Sequence, residues 1–193
     1  MSSSPLLYLA STSPRRREIL ESLGIDFEVA MVETDESPRT GESAEDLVLR
    51  LATAKAEAAA DADYVLGSDT VVVLGDEVLG KPEDIDAAVD MLLALSGRSH
   101  TVLTGVALKT PNGTEVVLSK TDVQFREIDR DEAIAYWHSG EPVDKAGSYG
   151  IQGLGGVFVK GIQGSYSGVM GLPVFETVEL LKSAGIEVLS KKK

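Results

Sequence analysis

Three arginines, Arg15, Arg16 and Arg17, follow a Ser13-Pro14 pair at a point where a helix should begin. Proline suits the first helical position, and a serine before it caps free backbone N–H groups. The first turn is the positive end of the helix dipole, where a cation costs roughly 0.3–1 kcal/mol and acidic residues are the usual occupants. Basic residues kept there point to anion recognition, because helix N-terminal N–H groups bind phosphate and guanidinium forks add charge-assisted bonds. The plainer reading is a solvated basic turn offset by Glu18 and Glu21. A second candidate is Asp69 in "GSDT", which closes an apolar strand-like run; strand ends are where α/β folds build their sites. A carboxylate there activates a water or holds a divalent cation, unless it only forms a turn. Lys81, in "GKP", follows at the distance of a hairpin that returns it towards Asp69. It reads as a phosphate-binding point charge or as a surface lysine ahead of a helix. Lys55 sits at the edge of an apolar helix stripe, where most lysines are simply solvated. Glu33, Asp35 and Glu36 in "ETDESP" read alone as an exposed loop; near cations they suit metal-bound polyphosphate.

The glycine-rich stretch "DKAGSYGIQGLGGVFVKGIQGSYSGVMGLP" has no P-loop spacing, and its "GIQGLG" precedes no helix. It offers backbone that approaches a ligand closely, with Lys145, Tyr149 and Gln152 as polar and stacking groups; a glutamine can pair with a base edge. The alternative is a set of turns and bulges between strands. His100 and His138 show no partners in the sequence. No nucleophile elbow appears in a strand-to-helix context, which disfavours a serine-hydrolase triad.

The elements that must carry these residues alternate between strand and helix. "LLYLAS" reads as a strand, Pro14 to Leu23 as a helix stopped by Gly24, and "DFEVAM" as a second strand. A helix is expected from about Ser43 to Ala60 with Leu47, Leu51, Ala54 and Ala58 on its buried stripe, and another from about Pro82 to Leu95. "HTVLTGVALKT", "PNG" and "TEVVLSKTDVQFREI" read as a long hairpin. Asp129 with Glu132 makes a capping box for a helix ending near Gly140, and a last helix runs from Pro173 to about Ala184. Hairpins among βα units favour a mixed sheet over a strictly parallel one. The 193 residues fit one domain, and the stretch 97–128 is the candidate for a smaller β-rich lobe. The absence of cysteine excludes disulfides, a thiolate nucleophile and cysteine-based metal sites. A formal charge of −13 repels nucleic acid over most of the surface, so no stable nucleic-acid partner is expected. No signal-like or membrane-spanning segment is evident, and a cytoplasmic protein is the simplest expectation.

Taken together, "ASTSPRRREIL", "GSDTVV", "GKPED", "LSGRSHTVLTGVAL" and the long glycine-rich motif resemble the Maf family of nucleoside triphosphate pyrophosphatases, over nearly the whole chain. The resemblance implies a single domain over residues 1–193 with two lobes allowed. Its implied fold is α/β, an elongated mixed β-sheet flanked by helices around a central cleft, similar to the inosine triphosphatases and often dimeric. It implies hydrolysis of a nucleoside triphosphate between the α and β phosphates with Mg²⁺ or Mn²⁺. Asp69 then matches the proton acceptor for the attacking water. Arg15, Thr70 and Gln152 match the positions of substrate choice, and they carry the residues of the dTTP/UTP branch rather than the 7-methyl-GTP branch. Ser13, Arg16, Glu36, Lys55 and Lys81 match polar positions of the cleft. Glu36 and Asp69 are the expected metal ligands, with Asp35 able to share the part of Glu36. The sequence departs from many of this branch at Ser68, where they carry alanine. Arg17 is expected to be a solvated neighbour. A nucleotide-binding regulator of cell division is the rival reading, disfavoured by the intact Lys55, Asp69 and Lys81 set.

Overall fold

A computed structural model describes residues 5–188. In chain order the elements are β1 (Leu7–Leu9), α1 (Pro14–Ser22), β2 (Phe27–Val29), α2 (Ala44–Ala58), β3 (Tyr64–Leu74), β4 (Glu77–Leu79), α3 (Ile85–Leu95), β5 (Ser99–Thr110), β6 (Gly113–Phe125), α4 (Arg130–Trp137), β7 (Val159–Gln163), α5 (Tyr166–Val169) and α6 (Val174–Ser183). Short 3₁₀ turns fill most of the glycine-rich stretch before β7. The strands form one mixed sheet in the order β2-β1-β3-β5-β6-β7, with β4 paired to β3. β1 lies parallel to both β2 and β3, whereas β4 on β3 and β7 on β6 are antiparallel. Only Pro111 and Asn112 separate β5 from β6, so the expected hairpin is present.

The chain divides into two compact units. The first holds the chain up to Asp69, residues Thr104–Ser119 and the chain from Gly171; the second holds Thr70–Leu103 and Lys120–Met170. Residues 97–128 are therefore shared between the two instead of forming a lobe of their own.

In the first unit, α2 is pressed against strand backbone. A Cβ on Gly67 of β3 would meet the Ala52 carbonyl and come within 2.7 Å of Ala56 N, and one on Gly105 of β5 would lie 2.7 Å from the Val48 carbonyl carbon. Glycine inside a strand often marks such an approach of another backbone. Ala52, Ala56 and Ala107 pack together, all fully buried. The buried face of α2 is Leu47, Val48, Leu51, Ala52 and Ala56, so the expected places of Ala54 and Ala58 belong to Ala52 and Ala56. Small residues are selected by contact with the sheet, and Ala58 is exposed beyond it.

The second unit has an apolar core that joins α3, α4 and its strand segments, including Leu92, Val123, Phe125, Tyr136, Tyr149 and Phe158. Within it β6 shows period-2 alternation, with Thr121, Val123 and Phe125 buried and Asp122 and Gln124 exposed. The expected capping box on α4 is formed: Asp129 accepts from Glu132 N at 2.8 Å.

Candidate active site

Helix α1 starts at Pro14 as expected, with no acidic residue in its first turn, but Ser13 makes no side-chain cap bond. Its backbone N–H instead donates to Ser11 Oγ at 3.2 Å. Arg16 turns back from the first turn: its Nη1 donates to Ser11 Oγ at 3.0 Å and its Nε to the Gly171 carbonyl at 2.8 Å. Burial lowers the Arg16 pKa from the usual arginine value; Asp69 and Glu36 oppose this and Arg15 adds to it. A guanidinium remains charged throughout the accessible pH range. Arg15 is half-buried, and Arg17 is exposed.

Asp69 lies within β3 and not at a strand end, since β3 runs on through Leu74. The apolar run continues past it, and a single polar residue does not end a strand whose neighbours are paired. Its side chain is nearly buried and accepts from Lys55 Nζ at 2.6 Å. The same ammonium meets Glu36 Oε1 at 2.7 Å. Lys55 is thus no solvated helix-edge lysine: its side chain is 12% exposed and it bridges two carboxylates. Gly67 makes this contact possible. Gly67, two residues before Asp69, lets α2 lie directly on β3, so a lysine near the end of α2 reaches an aspartate in the strand. Ser68 is fully buried, and its hydroxyl donates to the Gly171 carbonyl at 2.9 Å. The carbonyl that receives Arg16 therefore also satisfies the serine that departs from the common alanine.

Asp69 and Glu36 come from separate elements yet converge on one positive charge. Among the described residues no group of three or more histidines or carboxylates converges as a metal site. Two oxygen donors nonetheless suit Mg²⁺, which is commonly held by one or two carboxylates with substrate phosphates completing the shell. Asp35 faces its own loop, where its carboxylate accepts from Ser37 N at 3.0 Å.

The remaining candidates belong to the second unit. The β3–β4 pairing opposes Val72 to Leu79, a register that carries the exposed Lys81 back to the level of half-buried Thr70, as the hairpin spacing required. Gln152 is exposed on the glycine-rich loop. The loop is held by Glu141, which the sequence did not single out: its carboxylate accepts from Tyr136 O–H at 2.6 Å, Leu154 N at 2.8 Å and Gly155 N at 3.0 Å. Burial raises the Glu141 pKa, but these bonds outweigh it and the net shift is downward. Burial first, and the bond to Glu141 second, push the Tyr136 phenol up. Lys145 Nζ donates to the Glu141 carbonyl and to Asp144 Oδ1, so it too braces the loop. Tyr149 is no exposed stacking group. It is buried edge-on against Phe125 with its hydroxyl 2.8 Å from His100 Nε2, which also gives His100 the partner that the sequence did not reveal.

A family model described as Maf-like protein matches residues 6–184. The chain is 52% identical over 190 residues to the dTTP/UTP pyrophosphatase of Hahella chejuensis, covering 95% of this chain and 94% of that one. It is 52% identical over 189 residues to the protein of the same name from Saccharophagus degradans, covering 94% and 90%. With its counterpart in Colwellia psychrerythraea it shares 50% over 192 residues, covering 95% and 91%. Among solved structures it is similar to the Staphylococcus aureus Ham1 protein, with 19% identity, a TM-score of 0.44 and coverage of 62% and 71%.

Proposed function

Because the chain belongs to the Maf family, we propose that it is a pyrophosphatase that hydrolyses dTTP and UTP to the monophosphate and pyrophosphate. The observation that carries the reading is the Lys55 ammonium bridging the buried Asp69 and the loop carboxylate Glu36, in the unit that also holds Arg15 and Arg16. A triphosphate brings about four negative charges, and fixed cations stabilise the charge that grows on the departing pyrophosphate. Arg15 and Arg16 supply guanidiniums at a helix N-terminus, and Arg16 is already oriented by Gly171 and Ser11. Lys55 holds both carboxylates in place until substrate arrives and then exchanges part of that pairing for phosphate. Asp69 accepts the proton of the attacking water. Glu36 and Asp69 would hold Mg²⁺ or Mn²⁺. When bound, such an ion supplies charge neutralisation and a more acidic water. We assign substrate choice to Arg15, Thr70 and Gln152, and phosphate binding to Ser13 and Lys81. Among the described residues no helix is long and apolar enough to cross a membrane, and we place the protein in the cytoplasm with the nucleotide pool.

The test is product identification. Incubated with dTTP and Mg²⁺ or Mn²⁺, the protein should release TMP and pyrophosphate. Release of TDP and orthophosphate would overturn the bond assignment, and turnover of 7-methyl-GTP in preference to dTTP and UTP would overturn the substrate.

A further inference from the structure

The segment between β2 and α2, residues 30–43, contains no helix or strand, yet it carries Glu36. The Glu36 side chain is 58% exposed. Fixing a residue of irregular chain costs roughly 1–2 kcal/mol of backbone entropy, so something must order this loop if the carboxylate is to stay at Lys55. Arg50 on α2 forks onto Glu42, with Nε to Oε1 at 2.5 Å and Nη2 to Oε2 at 2.8 Å. The same Nη2 donates to the Ser37 carbonyl at 3.1 Å. Ser37 N–H in turn donates to Asp35 Oδ1 across Glu36, and Arg39 N–H donates to Glu42 Oε2 at 3.0 Å. The chain is therefore tied to α2 directly after Glu36, at Ser37 and Glu42, while the Asp35–Ser37 bond closes a turn across Glu36. The side chains of Arg50 and Glu42 are only 18% and 8% exposed. Bonds from Arg50 first, and from Arg39 N–H second, pull the Glu42 pKa down to about 2, so the fork stays charged at neutral pH. Arg50 and Lys55 share one helix. The element that presents the ammonium thus also carries the guanidinium bonded to the loop next to Glu36.

We propose that Arg50 and Glu42 are positioning residues that lock residues 35–42 onto α2 and so hold the Glu36 carboxylate at Lys55, ready for a divalent cation; this last role rests on the reading of Glu36 and Asp69 as cation ligands given above. A bidentate fork with a third bond to a carbonyl is a demand that lysine meets only in part.

The experiment compares the full chain with Glu42→Gln and Arg50→Lys, using Mn²⁺ alone as the binding probe, dTTP for kinetics, and amide hydrogen exchange of peptides spanning 31–43. Loss of an outer partner of a metal ligand typically costs 10–100-fold, so Glu42→Gln should weaken Mn²⁺ about 10-fold and lower kcat comparably, with KM nearly held. Exchange in 31–43 should accelerate while that of α2 and β3 is unchanged. Arg50→Lys should fall between the two, and it carries the test alone if Glu42→Gln does not fold. Wild-type exchange and wild-type Mn²⁺ affinity in both variants would overturn the proposal, as would a lowered melting temperature with unchanged kcat and affinity. A wild-type chain that binds Mn²⁺ but cleaves no triphosphate overturns the proposed function alone, and exchange and affinity still judge the lock. A wild-type chain that binds no Mn²⁺ overturns the cation role.

Discussion

The two units hold their key carboxylates by different means. In the first, the holders are cations: Lys55 for Asp69 and Glu36, and Arg50 for Glu42. In the second, one carboxylate, Glu141, gathers a phenol and two backbone N–H groups, and an edge-to-face set of His100, Phe125 and Tyr149 packs in an apolar core. Hydrogen bonds to backbone fix a shape. Ion pairs that face a ligand fix a charge pattern as well, and an incoming phosphate or cation rearranges them without leaving a buried charge unpaired. The first arrangement suits the groups proposed to do the chemistry, and the second suits a loop proposed to present Gln152.

The largest effect that tests this contrast lies at Asp69. General acid–base catalysis contributes roughly 10²–10⁴-fold, so Asp69→Asn should lower kcat for dTTP by about that factor. Its melting temperature should stay near wild type, because Lys55 keeps Glu36. Steady-state kinetics and a thermal melt on the same preparation check both halves, and near-wild-type turnover would remove Asp69 from the mechanism. Next comes the seat of α2. Overpacking costs typically 1–3 kcal/mol, so Gly67→Ala should destabilise by about that much, and by moving α2 off β3 it should also cut activity more than the stability loss explains. Urea unfolding beside kcat resolves the two.

A smaller effect belongs to the second unit. Burial lowers the His100 pKa from 6.5 to about 4, with Asp122 opposing it weakly. The unfolded chain therefore takes up the proton first, and stability falls as pH drops below 6.5 until the folded state also protonates near 4. At about 1.4 kcal/mol per pH unit, His100 should account for about 2 kcal/mol lost by pH 5. Urea titrations at pH 7 and 5 should show that His100→Phe lacks this share, whatever it loses at pH 7 from the unpaired Tyr149 hydroxyl. The smallest effect is at Arg17. Arg17→Ala should leave KM for dTTP almost unchanged while Arg16→Ala raises it or lowers kcat; equal effects would mean that the bonds to Gly171 and Ser11 do not distinguish the two.

What the sequence made legible was local. Asp129 and Glu132 sit three residues apart and need no distant partner to form their box; the two-residue turn at Pro111 and Asn112 and the return of Lys81 are likewise settled within a few residues. Family resemblance supplied Lys55, Asp69 and Glu36 as a set, but not their contact. That contact depends on how closely α2 approaches the sheet, which Gly67 and Gly105 decide through backbone from elsewhere in the chain. Isolated glycines in strand-like runs were the available signal. Arg50 and Glu42 were hidden because nothing in their spacing marks them as paired across an irregular loop. Tyr149 and His100 stood 49 residues apart, and only the folded core shows that they meet.

The carbonyl of Gly171 receives both Arg16 and Ser68, yet it enters the first unit from the third of that unit's three chain segments. On the ribosome, α1 and β3 emerge long before it does, and at roughly 5–20 residues per second the nascent chain waits several seconds for its last piece. The Arg16 contact is then completed last. A partly made chain holds Arg16 without the carbonyl that aims it, so the orientation of this guanidinium waits until the chain has been made past Gly171.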